Sequence, residues 1–223
     1  MKIRAAIPLL VLAIYVPNCY AGQYLHPKLK AKEKALLAVV ILPAKAEVSK
    51  EGVKGSEPMS KESEELGIQM MAAVAEVLKA RGVEILGSTF TPDAIQSDPD
   101  LQSTLTAFQT RYDALATQLH KKPKDVTKGR YTLGDEVTEL KVSSSADAFV
   151  VIRASGMEMT KGKAFLSGGL LGMAMGSGRS TLYYLAVVDS RSGEILFFAN
   201  DAAGGKPEDL TKALTKTFSK LPR

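Results

Sequence analysis

Tryptophan is absent from this 223-residue sequence, cysteine occurs once and histidine only twice. Each scarcity closes off a kind of chemistry. A lone Cys19 cannot close a disulfide within the chain, so stability has to come from core packing. His26 lies in a lysine-rich stretch and His120 near a helix end, and no carboxylates at ligand spacing accompany either, which argues against a metal centre. Nucleophilic catalysis needs a base held beside a serine or cysteine, and two histidines so placed do not provide one. Charge of one sign is lacking as well. The 29 basic residues stand among 24 acidic ones for a net +5, dispersed rather than gathered on one face, so no nucleic-acid partner is expected. Beyond the N-terminus no apolar run approaches the roughly 20 residues of a membrane helix. No cofactor or metal is expected.

The N-terminus itself carries a pattern. Lys2 and Arg4 precede twelve almost purely apolar residues, Ala5 to Val16. Pro17-Asn18 then break any helix, and Cys19-Tyr20-Ala21 sets small residues at the positions a signal peptidase inspects. Residues 1–21 are therefore read as a cleaved secretion signal, with cleavage after Ala21. Cys19 keeps a second reading open, an acylated lipoprotein cysteine, although Pro17-Asn18 is a poor approach to such a site. Removing Lys2 and Arg4 leaves 27 basic against 24 acidic residues. An exported periplasmic protein is expected, with outer-membrane association depending on that cysteine.

Residues 22–34 are polar and rich in lysine, with Pro27 among them, and are expected to be a tether. Residues 35–223 then read as one α/β domain. Ala35 to Leu42 is an unbroken apolar run rich in β-branched residues, the mark of a strand buried on both faces, and Pro43 stops it. A polar loop with Gly52, Gly55 and Pro58 is expected next. Leu66, Met70, Val74, Val77 and Leu78 recur at three and four residues, predicting a helix over 62–81 that ends at Gly82. Val83 to Gly87 is a short second strand. Asp98-Pro99 opens another helix, with Leu101, Leu105, Phe108, Tyr112, Leu115 and Leu119 along one side. A shorter helical stretch over 134–143 leads to a strand at Ala148 to Ile152. Leu182 to Val188 and Glu194 to Ala199 form a hairpin about Asp189 to Gly193. Pro207 opens a last helix, with Leu210, Leu214, Phe218 and Leu221 inward. The order predicts a mixed sheet, parallel in its N-terminal strands and antiparallel in its C-terminal hairpin, with helices packed on it.

Several of these pieces are similar to a broad superfamily of bacterial envelope lipoproteins. They are the apolar strand closed by proline (Val39-Val40-Ile41-Leu42-Pro43), the helix ending at Gly82 before Val83-Glu84-Ile85-Leu86, the strand introduced by Ala146-Asp147, and the strand-turn-strand from Ala186 to Leu196. That superfamily includes the curli secretion channel subunit and outer-membrane activators of cell-wall synthases. The resemblance runs over roughly 35–220 in element order, through motifs that are also ordinary hairpin chemistry. It implies an α/β domain that assembles with or contacts other proteins. The weak lipid-attachment pattern at Cys19 is where this chain departs from it.

The candidate contact element is the connection from Leu166 to Gly178. Within it Gly168, Gly169, Leu170, Leu171, Gly172, Met173, Met175 and Gly176 combine apolar side chains with backbone freedom, which suits contact with a partner subunit or a membrane surface. In the channel subunits this sequence resembles, the corresponding connection lengthens into membrane strands. Here it is too short for two strands of about 9–11 residues. A glycine-rich turn folded over the domain's own core is the competing reading. A phosphate loop over 172–180 is excluded by spacing: Met173 stands where the first glycine belongs relative to Gly178, Arg179 replaces the lysine, and a strand follows. No nucleotide is expected. A carboxylate hydrolase would have to draw on Glu158, Asp189, Glu194 or Asp201, of which Asp189 and Glu194 flank a turn where polar residues are routine. Tyr183 and Tyr184 point to opposite faces of one strand, so one of them is a candidate surface anchor. The expected function is that of a non-enzymatic envelope subunit that binds another envelope protein or itself. Alternatives are a membrane-inserting secretion assembly and, behind it, the hydrolase.

Overall fold

The computed structural model describes residues 22–53, 55–87, 90–140, 146–160, 179–204 and 207–222. Cys19 and the rest of 1–21 lie outside these residues, as does the Leu166 to Gly178 connection. Eight strands form one mixed sheet. The apolar run condenses into β2 (Ala38–Ile41), which lies parallel to both β5 (Glu84–Ile85) and β6 (Ala148–Met159). The run is buried alternately in two separate cores, Val39 and Ile41 on one side and Val40 and, just past the strand, Leu42 on the other. A strand covered on both faces cannot afford a polar position, which is why the run is continuous. Asp147 makes the start of β6 specific: its carboxylate accepts the backbone N–H groups of Leu37 and Ala38 at 2.8 and 2.9 Å, fixing β2 in register.

Pro43 interrupts the strand without ending its course. β3 (Lys45–Gly52) resumes along the same β6, from Lys45 opposite Arg153 to Glu51 opposite Met159, and turns back into β4 (Gly55–Pro58). The expected polar loop is thus a β-hairpin. β7 (Arg179–Asp189) and β8 (Ile195–Gly204) continue the sheet antiparallel, as the mixed-sheet reading requires. A bulge opposite Val187/Val188 lets the run Ile195-Leu196-Phe197-Phe198 send Leu196 and Phe197 to one core and Ile195 and Phe198 to the other.

Helix α2 (Ser60–Ala80) and helix α5 (Pro207–Thr217) cover one face. There Leu66, Met70, Val74, Leu210 and Leu214 meet Val150, Ile152 and Leu185, and Phe197 stacks on Phe218 with centroids 5.7 Å apart. The opposite face carries α4 (Pro99–Lys121), whose N-terminus Asp98 caps by accepting from Asp100 and Leu101. Ahead of it stands the short α3 (Pro92–Ser97), which periodicity over six residues could not announce. Phe108 meets Phe149 edge-on, and Leu133, with Val137 and Leu140 of a 3-10 turn, Asp135–Leu140, closes that core. Arg153 clamps helix to sheet: its Nε donates to Asp113 at 2.9 Å and its guanidinium lies 5.2 Å from the Tyr112 ring centre.

The stretch read as a tether is instead part of the domain. β1 (Gly22–Leu25) pairs antiparallel with Phe197 to Asn200 of β8, and α1 (Pro27–Lys30) buries Leu29 completely. Its polar composition is explained by position. An edge strand and one helical turn need only one large apolar contact, while the lysines reach outward to carboxylates of the β7–β8 turn.

Candidate functional site

The chemistry-bearing residues of the described chain gather at the two ends of the long β6–β7–β8 strands. At the turn end, Asp189 is only 4% exposed. Its Oδ1 accepts the backbone N–H groups of Arg191 and Ser192 at 2.9 Å each, and its Oδ2 pairs with Lys34. Burial works to raise its pKa, but the Lys34 ammonium and the two N–H groups outweigh it and hold the carboxyl below the usual range. Glu194 accepts from Lys28 at 2.5 Å and from Ser192 at 3.2 Å, and the Lys28 bond lowers its pKa. Gly193, at φ +68°, packs against the backbone of Gly134, and Ser190 donates to Ala146 O at 2.5 Å. Every oxygen of Asp189 is thereby committed to holding a turn in shape.

His26 sits beside this cluster and caps α1 from within. Its Nδ1 accepts Lys28 N–H at 3.2 Å, and burial lowers its pKa. His120 lies on Tyr184, with ring centres 4.1 Å apart, and contact with the protein lowers its pKa although the residue is exposed. Tyr183 is the buried member of the tyrosine pair. Its hydroxyl shares a 2.9 Å hydrogen bond with Thr217, and burial pushes its pKa up to about 12. Tyr184 is half-buried against the α4 core.

At the far end, Glu158 pairs in register with Arg179, while Asp201 stands opposite Tyr183 on β8. Ten residues of β7 separate the Arg179 register from Asp189, or about 33 Å at roughly 3.3 Å per residue. Glu158, Asp189 and Asp201 therefore line no common cleft, and the described grooves near the far end are bounded by other residues: Lys50, Val53, Glu57 and Thr160 in one, Glu47, Ser56, Ser63 and Ser155 in the other. Among the described residues no cluster of histidine, cysteine and carboxylates has the arrangement of a metal site, and no described helix is long and apolar enough to cross a membrane. The far end does carry two exposed apolar side chains, Val53 (63% exposed) at the β3–β4 turn and Met157 (42%) on β6. At this end β6 closes at Met159 and β7 opens at Arg179. The predicted contact residues Gly168, Gly169, Leu170, Leu171, Gly172, Met173, Met175 and Gly176 belong to that interval, outside the described residues.

No family model matches the chain, and no curated protein matches it. Solved structures similar to it include the PelC dodecamer from Paraburkholderia phytofirmans, 11% identical with a TM-score of 0.38, covering 83% of this chain and 89% of that one. Lipoprotein GNA1162 from Neisseria meningitidis is 12% identical with a TM-score of 0.38, covering 82% of this chain and 96% of its own. Both are likenesses of chain path at low identity, and they assign no residue of this chain a role.

Proposed function

We propose that this is an exported, non-enzymatic protein of the bacterial envelope that works by binding another envelope protein or a second copy of itself. One observation carries the reading. β6 and β7 pair continuously out to Glu158 and Arg179, where a hairpin needs a loop of about 2–5 residues to close. The chain instead inserts the eighteen residues 161–178, with Phe165, Leu166, Leu170, Leu171, Met173 and Met175 among its glycines. Apolar side chains on a connection of this length serve as contact surface, and methionine adapts to an irregular partner. At the same end of the sheet, Val53 at the β3–β4 turn and Met157 on β6 are exposed apolar side chains.

The carboxylates that a hydrolase would use support the same reading from the other side. Asp189 is held by Lys34 and two backbone donors, and Glu158 and Asp201 lie on the neighbouring strands about 33 and 20 Å along them from Asp189, at roughly 3.3 Å per residue. The test is crosslinking in living cells, followed by pull-down of the full chain and of a variant lacking Ser167 to Gly178. Capture of one discrete envelope protein, or of a ladder of self-products, by the full chain alone is the expected result. Equal capture by both moves the interface elsewhere; capture by neither removes the assembly reading.

A further inference from the structure

The segment that opens the described chain pairs with β8 over Gly22 to Leu25, donates from Gln23 Nε2 to Lys216 O at 3.0 Å, and is fastened after the strand by one small cluster. His26 is 4% exposed, and its backbone N–H donates to Leu196 O at 2.9 Å. Its Nδ1 accepts from Lys28 N at 3.2 Å, and a ring nitrogen that accepts carries no proton, so the cap requires the neutral imidazole. The other ring nitrogen lies over Gly129, where a β-carbon would stand only 2.7 Å from Nε2, so the ring occupies space that only a glycine at this position leaves open. Around it, Lys28 reaches Glu194, Lys34 reaches Asp189, and Leu29 plugs the core. Together these contacts lay β1 along the outer edge of β8.

We propose that His26 is an acid-sensitive latch: protonating its imidazole frees α1 and β1 from the sheet and bares the outer edge of β8 for strand pairing. Once both ring nitrogens carry protons, Nδ1–H faces the Lys28 N–H, donor against donor, in a site with little water to take up the charge. Glu194, Asp189 and Glu33 face the ring and favour the proton, while Lys28 opposes it. The 3-10 turn Pro123–Lys128 packs against β1 and β8 on this side, and its Asp125 pairs with Lys128 and with the adjoining Arg130. Burial outweighs the carboxylates, so the folded pKa lies below 6.5. The latch is therefore at full strength above about pH 6.5 and weakens as pH falls toward the folded pKa, by at most about tenfold per unit. Glu194 and Asp189 do not titrate in that window because their own pKa values are lowered, so a change there reports His26 and not those carboxylates. Freed Phe197 to Asn200 would present unpaired backbone groups of an edge strand.

The test is amide hydrogen exchange of the intact domain at pH 7.5 and 5.5, corrected for the intrinsic rates. Protection over Gly22 to Lys30 should fall up to about tenfold at pH 5.5 while the β6 and β7 amides keep theirs. His26→Asn, whose side chain caps a helix without titrating, should lose the pH response; His120→Asn should retain it. Protection independent of pH in the wild type overturns the latch, and so does an undiminished response in His26→Asn. Should that variant not fold, titration of the wild-type His26 ring by NMR decides: a pKa at or above 6.5 overturns the proposal, and a lower one, with β1 amide shifts following the same curve, supports it.

Discussion

Leu29→Ala separates a tether from a structural element by its energy. Leu29 is the one large apolar side chain of α1, has no exposed surface, and belongs to the core shared with α2 and α5. Truncating a fully buried leucine costs about 2–5 kcal/mol, from lost transfer free energy and from the cavity left behind. α1 is a single turn at the margin of the sheet and can settle partly into the vacated space, which sets the expectation at about 2–3 kcal/mol. For a domain of this size each kcal/mol lowers the melting temperature by about 2–4 °C, so a fall of about 5–10 °C should accompany it. The assay is urea denaturation of the domain from Gly22 onward, followed by circular dichroism, with the slope m unchanged. A loss below about 0.5 kcal/mol, the range of ordinary surface substitutions, would refute the reasoning and return residues 22–34 to the status of a tether.

Asp189→Ala removes a buried acceptor of three donors and should cost about 3–5 kcal/mol by chemical denaturation. In the wild type the stability held by the Asp189 charge is complete above its ordinary pKa near 3.8 and lost as pH falls through the lower folded value; the variant should lack that acid limb in a pH series of melts. Gly193→Ala and Gly82→Ala both force alanine to positive φ, but a β-carbon at Gly193 meets Gly134 O at 2.4 Å and one at Gly82 meets nothing within 4 Å. Gly82→Ala should cost about 1–2 kcal/mol and Gly193→Ala clearly more, and equal losses would discount the Gly193–Gly134 contact. Tyr183→Phe takes from the Thr217 hydroxyl its partner inside the core and should cost about 1–2 kcal/mol by chemical denaturation; a loss below about 0.5 kcal/mol would discount that bond.

Sequence alone determined the elements whose patterns are long or pure. α2, α4 and α5 were legible because their apolar residues repeat over several turns, and β2 because a strand covered on both faces must be apolar throughout. The mixed order of parallel and antiparallel strands followed from those elements. Tertiary structure decided the rest. Gly-Gln-Tyr-Leu at Gly22–Leu25 has no strand pattern of its own and becomes β1 only because β8 offers a free edge. Lys45–Gly52 reads as polar because β3 buries only Val48 fully, so its pairing with β6 left little trace in hydropathy. Asp189 looked like any turn residue until burial and three donors made it the anchor of the β7–β8 turn. His26, placed by composition in a tether, acquires its environment from Gly129 and Glu194, residues far along the chain. Local patterns report the face an element must bury, whereas a site depends on which distant elements that burial brings together.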